Sequence, residues 1–115
     1  MFSYKEVASA KEFVDELLKN KKVVVFAKSD CPYSSKSMEI LNRFEMPADM
    51  LVRVDLDKCN DVDFEAAKEY LESLTGARTV PRVFINGKFI GGGDDVADAE
   101  KSGELEKMLK KAEAI

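Results

Sequence analysis

A short run of apolar and mostly β-branched residues, Val23–Ala27, constrains the fold more than any other feature of the sequence. A strand without polar side chains fits a sheet that is covered on both faces, as parallel sheets with flanking helices are. The residues that follow fit a helix, because Met38 and Leu41 lie one turn apart and Pro32 is tolerated in a first turn. The sequence therefore predicts an α/β fold in which Cys31 lies at a helix N-terminus, just beyond a buried strand.

Apolar spacing and turn residues place the other elements along the chain. Helices are predicted within Val7–Leu18, Phe64–Leu74 and Leu105–Ala112, and further strands within Leu51–Leu56, Val83–Ile85 and Phe89–Ile90. Asn86-Gly87, between the last two strands, is typical of a tight hairpin turn, and Gly76 is typical of the residue that ends a helix. This order predicts a thioredoxin fold, a four-stranded mixed sheet flanked by helices, and we expect residues 1–115 to form a single domain.

The predicted position of Cys31 favours a reactive thiol. Unpaired backbone N–H groups and the positive end of the helix dipole stabilise a thiolate at a helix N-terminus, and Lys28 adds positive charge three residues upstream. The thiolate is the nucleophile in thiol–disulfide exchange. A buried cysteine that only fills a turn is the alternative interpretation. The placement of Cys31 between a buried strand and a helix favours the reactive thiol.

Composition excludes several functional classes. The chain has no histidine and two cysteines, so it lacks a Cys–His pair, a Ser–His–Asp triad and a Cys or His ligand set for zinc, and we expect no metal. The net charge of −4 argues against nucleic acid as a partner. Gly91–Gly93 is not followed by the Gly-Lys-Ser/Thr of a phosphate-binding loop.

The sequence also predicts where the protein resides. No run of residues is long and apolar enough to span a membrane, so no membrane partner is expected. Met1–Glu6 lacks the basic and apolar stretches of a secretory signal, and the scarcity of cysteine fits a reducing compartment. We therefore expect a cytoplasmic protein, although an organellar form whose transit peptide has been removed would have the same features.

Three blocks of the sequence resemble the glutaredoxin family. Cys31-Pro32-Tyr33-Ser34 resembles the family's Cys-Pro-Tyr-Cys active site, with serine in place of the second cysteine. Leu74–Ile85 resembles a second family signature, and Gly91–Asp95 resembles a third. The blocks keep the family's order and spacing across most of the chain. The resemblance therefore implies a glutaredoxin-like domain that acts as a glutathione-dependent thiol–disulfide oxidoreductase.

The resemblance also implies a binding site for glutathione, the expected co-substrate. The carboxylates, ammonium group and peptide backbone of glutathione require cations, an acidic partner and free main-chain groups. By resemblance, Lys28 and Lys68 match the positions that face the glycine carboxylate, and Cys31 and Tyr33 match those at the sulfur. Thr79, Val80 and a cis Pro81 match the residues that pair with the cysteinyl main chain. Gly92, Asp94 and Asp95 belong to the third block, whose aspartates match the positions that hold the γ-glutamyl end. Each alone fits surface charge, a strand residue or a helix cap, but together beside Cys31 they favour a ligand site.

Ser34 determines which mechanism the resemblance implies. A hydroxyl cannot form a disulfide with Cys31, so only the one-cysteine route remains, in which Cys31 takes glutathione from a mixed disulfide and a second glutathione releases it. Ser34 is either natural or an engineered replacement of the resolving cysteine. The expected substrates are glutathionylated proteins and low-molecular-weight disulfides, and we expect the protein to be a monomer.

Three alternatives stay open. Cys59 would replace the missing resolving cysteine only if its Cα lay within about 7 Å of that of Cys31, and an incidental thiol is the simpler interpretation. Some one-cysteine relatives in the glutaredoxin group hold a [2Fe–2S] cluster between two subunits with the help of glutathione. They typically carry glycine where this chain has Pro32, which argues against that function here. The third alternative is a binding module without chemistry.

Overall fold

The structure is a computed structural model that describes the main chain of residues 4–115 and the side chains from residue 8 onward. Residues 1–3, which belong to the segment used above for the signal-peptide prediction, and the side chain of Val7 lie outside the described part. The helices are α1 (Tyr4–Asn20), α2 (Pro32–Leu41), α3 (Phe64–Thr75), α4 (Gly93–Ser102) and α5 (Glu104–Lys111), and the strands are β1 (Val23–Ala27), β2 (Leu51–Asp55), β3 (Arg82–Ile85) and β4 (Lys88–Gly91).

The strands form one mixed sheet of order β2-β1-β3-β4. Strand β1 runs parallel to β2 and antiparallel to β3, and β3 runs antiparallel to β4. The long connection between the parallel strands contains α2, as parallel pairing requires. The predicted four-stranded mixed sheet with flanking helices is therefore confirmed.

Strand β1 is buried on both faces, as its composition predicted. None of its side chains has any exposed surface. Successive side chains point to opposite faces, so Val23 and Val25 enter a core that is covered by α2, α4 and α5, whereas Val24 and Phe26 enter a core covered by α1 and α3. Helices therefore cover both faces of the sheet. The chain leaves the sheet at the C-terminal end of β1 and continues to Cys31.

Local signals set the hairpin and the boundaries of α3. Asn86 and Gly87 have φ angles of 53° and 77°, as a type I′ turn requires at both central positions. The Asp63 side chain caps the start of α3 by accepting a hydrogen bond from the backbone N–H of Ala66 at 3.0 Å. Gly76 ends α3 with a left-handed φ of 88°. The predicted hairpin and helix end are both confirmed.

The helix predicted within Leu105–Ala112 is confirmed as α5, and the structure has a further helix before it, α4, which was not predicted. Gly103 has a left-handed φ of 86° and ends α4, and α5 begins at the next residue. Glycine adopts this conformation without the steric cost of a side chain, which explains why one helix stops and another starts there. Within residues 4–115, no helix combines the length and the apolar composition that crossing a membrane requires.

The ends of β1 and β2 and the start of β3 meet at one edge of the sheet. The last residue of β1 pairs with the last residue of β2, and Phe26 on β1 pairs with Arg82 on β3. The peptide bond between Val80 and Pro81, just before β3, is cis, so the expected cis-proline is confirmed. This edge brings Cys31 next to the segment that precedes β3.

Candidate active site

Cys31 is the N-cap residue of α2, as the sequence predicted. Its φ and ψ of −93° and 112° are extended, and the helix starts at Pro32. The backbone N–H groups of Ser34 and Ser35 donate to its carbonyl oxygen at 3.1 and 3.2 Å. The side chain is partly buried, and its thiol donates to the carbonyl oxygen of Val80 at a distance of 3.8 Å. The thiol therefore faces the residue that precedes the cis-proline.

Neighbouring dipoles stabilise the thiolate of Cys31. Burial, the largest influence, and the charge of Asp30 raise the pKa of the thiol, whereas the Ser34 hydroxyl and the backbone N–H groups of Ser34 and Tyr33 lower it. The lowering influences together prevail, so the pKa of Cys31 lies below its ordinary value. The predicted direction holds, and the backbone N–H groups contribute to it as expected. The Ser34 hydroxyl is an additional cause, whereas the expected cation, Lys28, pairs with Asp30 at 3.7 Å.

The Ser34 hydroxyl is an unusual neighbour for a thiol. Ser34 has no exposed surface, and among the described residues its Oγ has no hydrogen-bond partner. Buried hydroxyl groups normally have a partner, because leaving one unpaired is costly. The same hydroxyl lowers the pKa of Cys31. The acceptor that suits it is therefore the thiolate sulfur, which forms only when Cys31 loses its proton.

Arg53 supports the loop that carries Cys31. Its guanidinium donates to the carbonyl oxygen of Lys28 and to the Ser35 hydroxyl, each at 3.3 Å, and its Nε pairs with Asp55 at 2.8 Å. These contacts tie β2 to both sides of Cys31. Sequence reasoning missed this role, although an arginine between two valines of a predicted strand was the available signal.

A groove lies beside the thiol. Its volume is about 220 Å³, and it is lined by Tyr33, Thr79, Val80, Pro81, Arg82, Gly92, Gly93, Asp94 and Asp95. Cys31 adjoins this lining through its hydrogen bond to the Val80 carbonyl. The structure thus brings together most of the residues that the sequence assigned to glutathione.

Glycines and a helix cap form one wall of the groove. A side-chain carbon at Gly92 would lie 2.8 Å from a guanidinium nitrogen of Arg82, and one at Gly93 would lie 3.3 Å from the Cβ of Tyr33. The Asp95 carboxylate accepts a hydrogen bond from the Gly92 N–H at 2.9 Å, which caps the start of α4. Asp95 therefore has the helix-capping role that the sequence left open, and it also lines the groove.

The two predicted lysines lie outside this lining, and each pairs with a carboxylate of the chain. Lys28 pairs with Asp30, and the Nζ of Lys68 lies 3.6 Å from Glu65. Glu65 also accepts a hydrogen bond from Arg78 at 2.9 Å. Both lysines are thus partly neutralised by this chain's own carboxylates.

Comparison with known proteins places the chain in a family. The family model described as Glutaredoxin matches residues 23–90. The chain is 43% identical to glutaredoxin-1 of Rattus norvegicus over 106 residues, which cover 92% of this chain and 97% of the rat protein. The chain belongs to the glutaredoxin family. It is a glutathione-dependent thiol oxidoreductase.

Solved glutaredoxin structures agree with this fold. Oxidized glutaredoxin 2 from Chlamydomonas reinhardtii is 41% identical and superposes with a TM-score of 0.84 over 95% of this chain and 98% of that one. The buckwheat glutaredoxin–glutathione complex is 32% identical and superposes with a TM-score of 0.88 over 99% of each chain. These similarities confirm the predicted thioredoxin fold.

Sequence reasoning missed two residues that line the groove of this glutaredoxin. Arg82 follows the cis-proline, and Gly93 is the last glycine of the Gly91–Gly93 run. The signal for Gly93 was its place in a block already singled out. For Arg82, the signal was a positive charge at the start of a strand, directly after Pro81.

Cys59 and Cys31 are both free thiols in this glutaredoxin. Cys59 is partly buried and packs against the core beneath α1 and α3. The thiol of Cys31 instead faces Val80. The environment of Cys59 fits the simpler interpretation, in which it is an incidental thiol.

Proposed function

We propose that this glutaredoxin reduces glutathione mixed disulfides on proteins and small molecules through Cys31 alone. The observation that carries the proposal is the Cys31 thiol, which lies at the N-terminus of α2 and has a lowered pKa. Ser34 stands one turn further along the helix, where a resolving cysteine would be required for an intramolecular disulfide. A thiolate in this position attacks an external disulfide and needs an external thiol for its release.

The reaction consists of two thiol–disulfide exchanges. In the first, the Cys31 thiolate attacks the glutathione sulfur of the mixed disulfide, and the substrate sulfur leaves as a thiolate that takes a proton from water. In the second, the thiolate of a free glutathione attacks the glutathione sulfur of the Cys31 adduct. This step releases oxidised glutathione and regenerates the Cys31 thiolate. Overall, one mixed disulfide and one glutathione give one free thiol and one oxidised glutathione.

The lowered pKa of Cys31 serves both exchanges. In the first exchange it raises the fraction of thiolate at neutral pH. In the second it makes Cys31 a better leaving group, because a thiol of lower pKa leaves faster. In this proposal the Ser34 hydroxyl contributes to both steps by donating to the thiolate.

The groove supports one placement of the glutathione backbone. Its cysteinyl main chain would run along Thr79 and Val80 in the manner of an added strand, just before the cis Pro81. This placement sets the glutathione sulfur beside Cys31 and Tyr33. Tyr33 is 60% exposed and leaves the sulfur accessible to a substrate. The buckwheat glutaredoxin, whose structure contains glutathione, supports this ligand for the groove.

The two ends of glutathione would meet different groups. The γ-glutamyl end would lie at Gly92, Asp94 and Asp95, where free N–H groups at the start of α4 suit its carboxylate and the Asp95 carboxylate suits its ammonium group. The glycine carboxylate would extend toward Lys28 and Lys68, which must exchange part of their contact with Asp30 and Glu65 for it.

Mass spectrometry followed by a turnover assay tests the proposal. We expect brief exposure to oxidised glutathione to give one adduct, which peptide mapping locates at Cys31, and we expect turnover of a glutathionylated peptide in excess glutathione. The Cys59→Ser variant is the matched control and should retain both properties. Absence of an adduct at Cys31 would contradict the proposal. An adduct without turnover, together with visible absorbance after anaerobic reconstitution with iron, sulfide and glutathione, would support the cluster-holding alternative instead.

A further inference from the structure

Arg82 lines the groove but has no role in the mechanism above. Its Nε donates to the carbonyl oxygen of Pro81 at 3.0 Å, and the guanidinium carbon lies 5.0 Å from the centre of the Phe89 ring. These two contacts hold the side chain in place, and among the described residues its terminal N–H groups have no hydrogen-bond acceptor. Arg82 is therefore a positioned cation at the wall of the groove.

Arg82 also differs from the other cations near the active site. None of the ion pairs among the described side chains involves Arg82, whereas Lys28, Lys68 and Arg53 are each paired. Asp95 influences Arg82 through its charge, without forming an ion pair with it. A partly buried guanidinium without a carboxylate partner, beside an open groove, suits a carboxylate supplied by a ligand.

The neighbours of Arg82 indicate which end of the ligand it meets. A guanidinium nitrogen lies so close to Gly92 that a side-chain carbon there would be 2.8 Å away. The cation is thus next to the start of α4, and the Asp95 carboxylate lines the same groove. A cation, free N–H groups and a carboxylate together complement a carboxylate and an ammonium group on one carbon. The γ-glutamyl group has that combination, and the glycine end of glutathione does not.

We propose that Arg82 binds the α-carboxylate of the γ-glutamyl group and thereby sets the preference of this enzyme for γ-glutamyl thiols. The assignment rests on the proposed function, because it requires glutathione in the groove. Arg82 and the N–H groups at the start of α4 share one carboxylate, while Asp95 faces the ammonium group. Arg82 touches no reacting atom, so it contributes to binding and leaves the reactivity of Cys31 unchanged.

Single-turnover formation of the Cys31 adduct, followed by mass spectrometry, tests the assignment with three disulfides. The first is oxidised glutathione, and the second is the disulfide of 4-aminobutanoyl-Cys-Gly, which lacks only the α-carboxylate. The third is hydroxyethyl disulfide, which has no peptide groups and reports the intrinsic reactivity of Cys31. The variants are Arg82→Gln, Arg82→Lys and, as a control that removes one exposed positive charge elsewhere, Lys88→Gln.

We expect Arg82→Gln to lower the second-order rate constant with oxidised glutathione about tenfold, as the loss of a hydrogen bond to a charged group would. With the analogue that lacks the α-carboxylate the decrease should be below about twofold, and with hydroxyethyl disulfide the rate should not change. Arg82→Lys should recover part of the loss, and Lys88→Gln should have no effect. If Arg82→Gln does not fold, the rate constants of Arg82→Lys with the same three disulfides test the assignment.

Equal losses with oxidised glutathione and with the analogue would overturn the assignment and leave the proposed function intact. A fall with hydroxyethyl disulfide would also overturn it, because Arg82 would then act through the structure around Cys31. A wild-type protein that reacts no faster with oxidised glutathione than with hydroxyethyl disulfide would overturn the proposed function itself, and the assignment with it.

Discussion

The surroundings of the Cys31 thiol and the region of the two predicted lysines are organised in different ways. Cys31 is partly buried, and its pKa is lowered by a buried hydroxyl and by main-chain N–H groups that the helix holds in place. Lys28 and Lys68 form ion pairs at 3.7 and 3.6 Å with the exposed carboxylates of Asp30 and Glu65, which are 74% and 52% exposed, while the Lys68 side chain is itself half-buried. Exposed pairs are weak and are screened by salt, whereas buried dipoles are not.

Because of this difference, the reactivity of Cys31 and the binding of glutathione through the lysines should respond differently to ionic strength. Fixed dipoles should keep the reactivity of Cys31 nearly constant as the ionic strength rises. Binding through Lys28 and Lys68 should weaken with salt, because glutathione competes there with carboxylates of the chain. The thiol is therefore preorganised for reaction, and the lysine region adapts when the ligand arrives.

Replacement of the two cysteines has the largest expected effect on this comparison. Cys31→Ser should reduce turnover of glutathione mixed disulfides to the uncatalysed rate, because the thiol of Cys31 lies at a helix N-terminus beside the groove and that of Cys59 packs against the core. Cys59→Ser should retain nearly all of the activity. Steady-state rates with a glutathionylated peptide measure both. A large loss in the Cys59→Ser variant would show that Cys59 resolves the adduct and that the chemistry is not confined to Cys31.

Ser34→Ala tests whether the buried hydroxyl sets the acidity of Cys31. The hydroxyl lowers the pKa of the thiol, so its removal should shift the pH profile of Cys31 alkylation to higher pH. A hydrogen bond to a charged group contributes about 1.5–3 kcal/mol, and a more basic thiolate is a better nucleophile, which offsets part of the loss. We expect a rate about fivefold lower at pH values below the pKa and, where the thiol is fully ionised in both proteins, a rate about threefold higher. An unchanged midpoint would mean that the main-chain N–H groups suffice.

The same variant should change stability in opposite directions at acidic and alkaline pH. Folding lowers the pKa of Cys31, so the thiolate stabilises the fold above the ordinary thiol pKa, and this contribution is lost as the pH falls through the lowered value. Below that value the unpaired Ser34 hydroxyl only costs stability. Urea unfolding of Ser34→Ala should therefore give a free energy of unfolding about 1 kcal/mol higher at acidic pH and a lower one at alkaline pH. A decrease at acidic pH would show that the hydroxyl has a partner in the protonated state.

Signals local in sequence predicted the framework well. The apolar run of β1, the proline after Cys31 and the Asn86-Gly87 turn each act within a few residues, and each has the structure it predicted. The exception was α4, which was not predicted because it begins in the glycine-rich block and has a weak apolar pattern, with Val96 as its buried residue. A glycine between two helical stretches indicates a helix end as strongly as Gly76 did.

The pairing of charges in the site could not be predicted from signals local in sequence. Lys28 stands near Cys31 in sequence, but which charge it meets depends on side-chain conformation, and it pairs with Asp30. The contacts of Arg82 with Gly92 and Phe89 join separate segments, and only the packing of β4 and α4 against β3 brings them together. Sequence motifs thus identified the groove, and the pairing of its charges required the fold.

Glu65→Gln should have a smaller effect, which is confined to ligand binding at the lysine region. Glu65 holds Lys68 and Arg78, so removal of its charge should free both for the glycine carboxylate. Because the Glu65 carboxylate is exposed, we expect only about a threefold decrease in the KM for glutathione, with kcat nearly unchanged. The decrease should shrink at high salt and should be absent with γ-glutamylcysteine, which has no glycine. Glu69→Gln, an exposed residue on the same helix, is the matched control.

Removal of the Glu65 charge tests the lysine region in one further way. If Glu65→Gln raised the KM for glutathione, Glu65 would position Lys68 for the ligand and would not compete with it. The Lys68–Glu65 pair would then hold the lysine in its binding position before the ligand binds, as the hydroxyl and the N–H groups around Cys31 are held in place before reaction. Equal effects of Glu65→Gln and Glu69→Gln would assign the change to net charge alone.

Asp30→Asn should have the smallest effect, because Asp30 is an exposed charge that acts on the thiol. Asp30 raises the pKa of Cys31, so its removal should lower that pKa and raise the alkylation rate at pH values below it by no more than about twofold. Raising the salt concentration should abolish the difference, since Asp30 is exposed, whereas the effect of Ser34→Ala should persist. A rate increase that survives high salt would mean that Asp30 acts on Cys31 through the conformation of the loop, and the separation between buried dipoles and exposed charges would not hold.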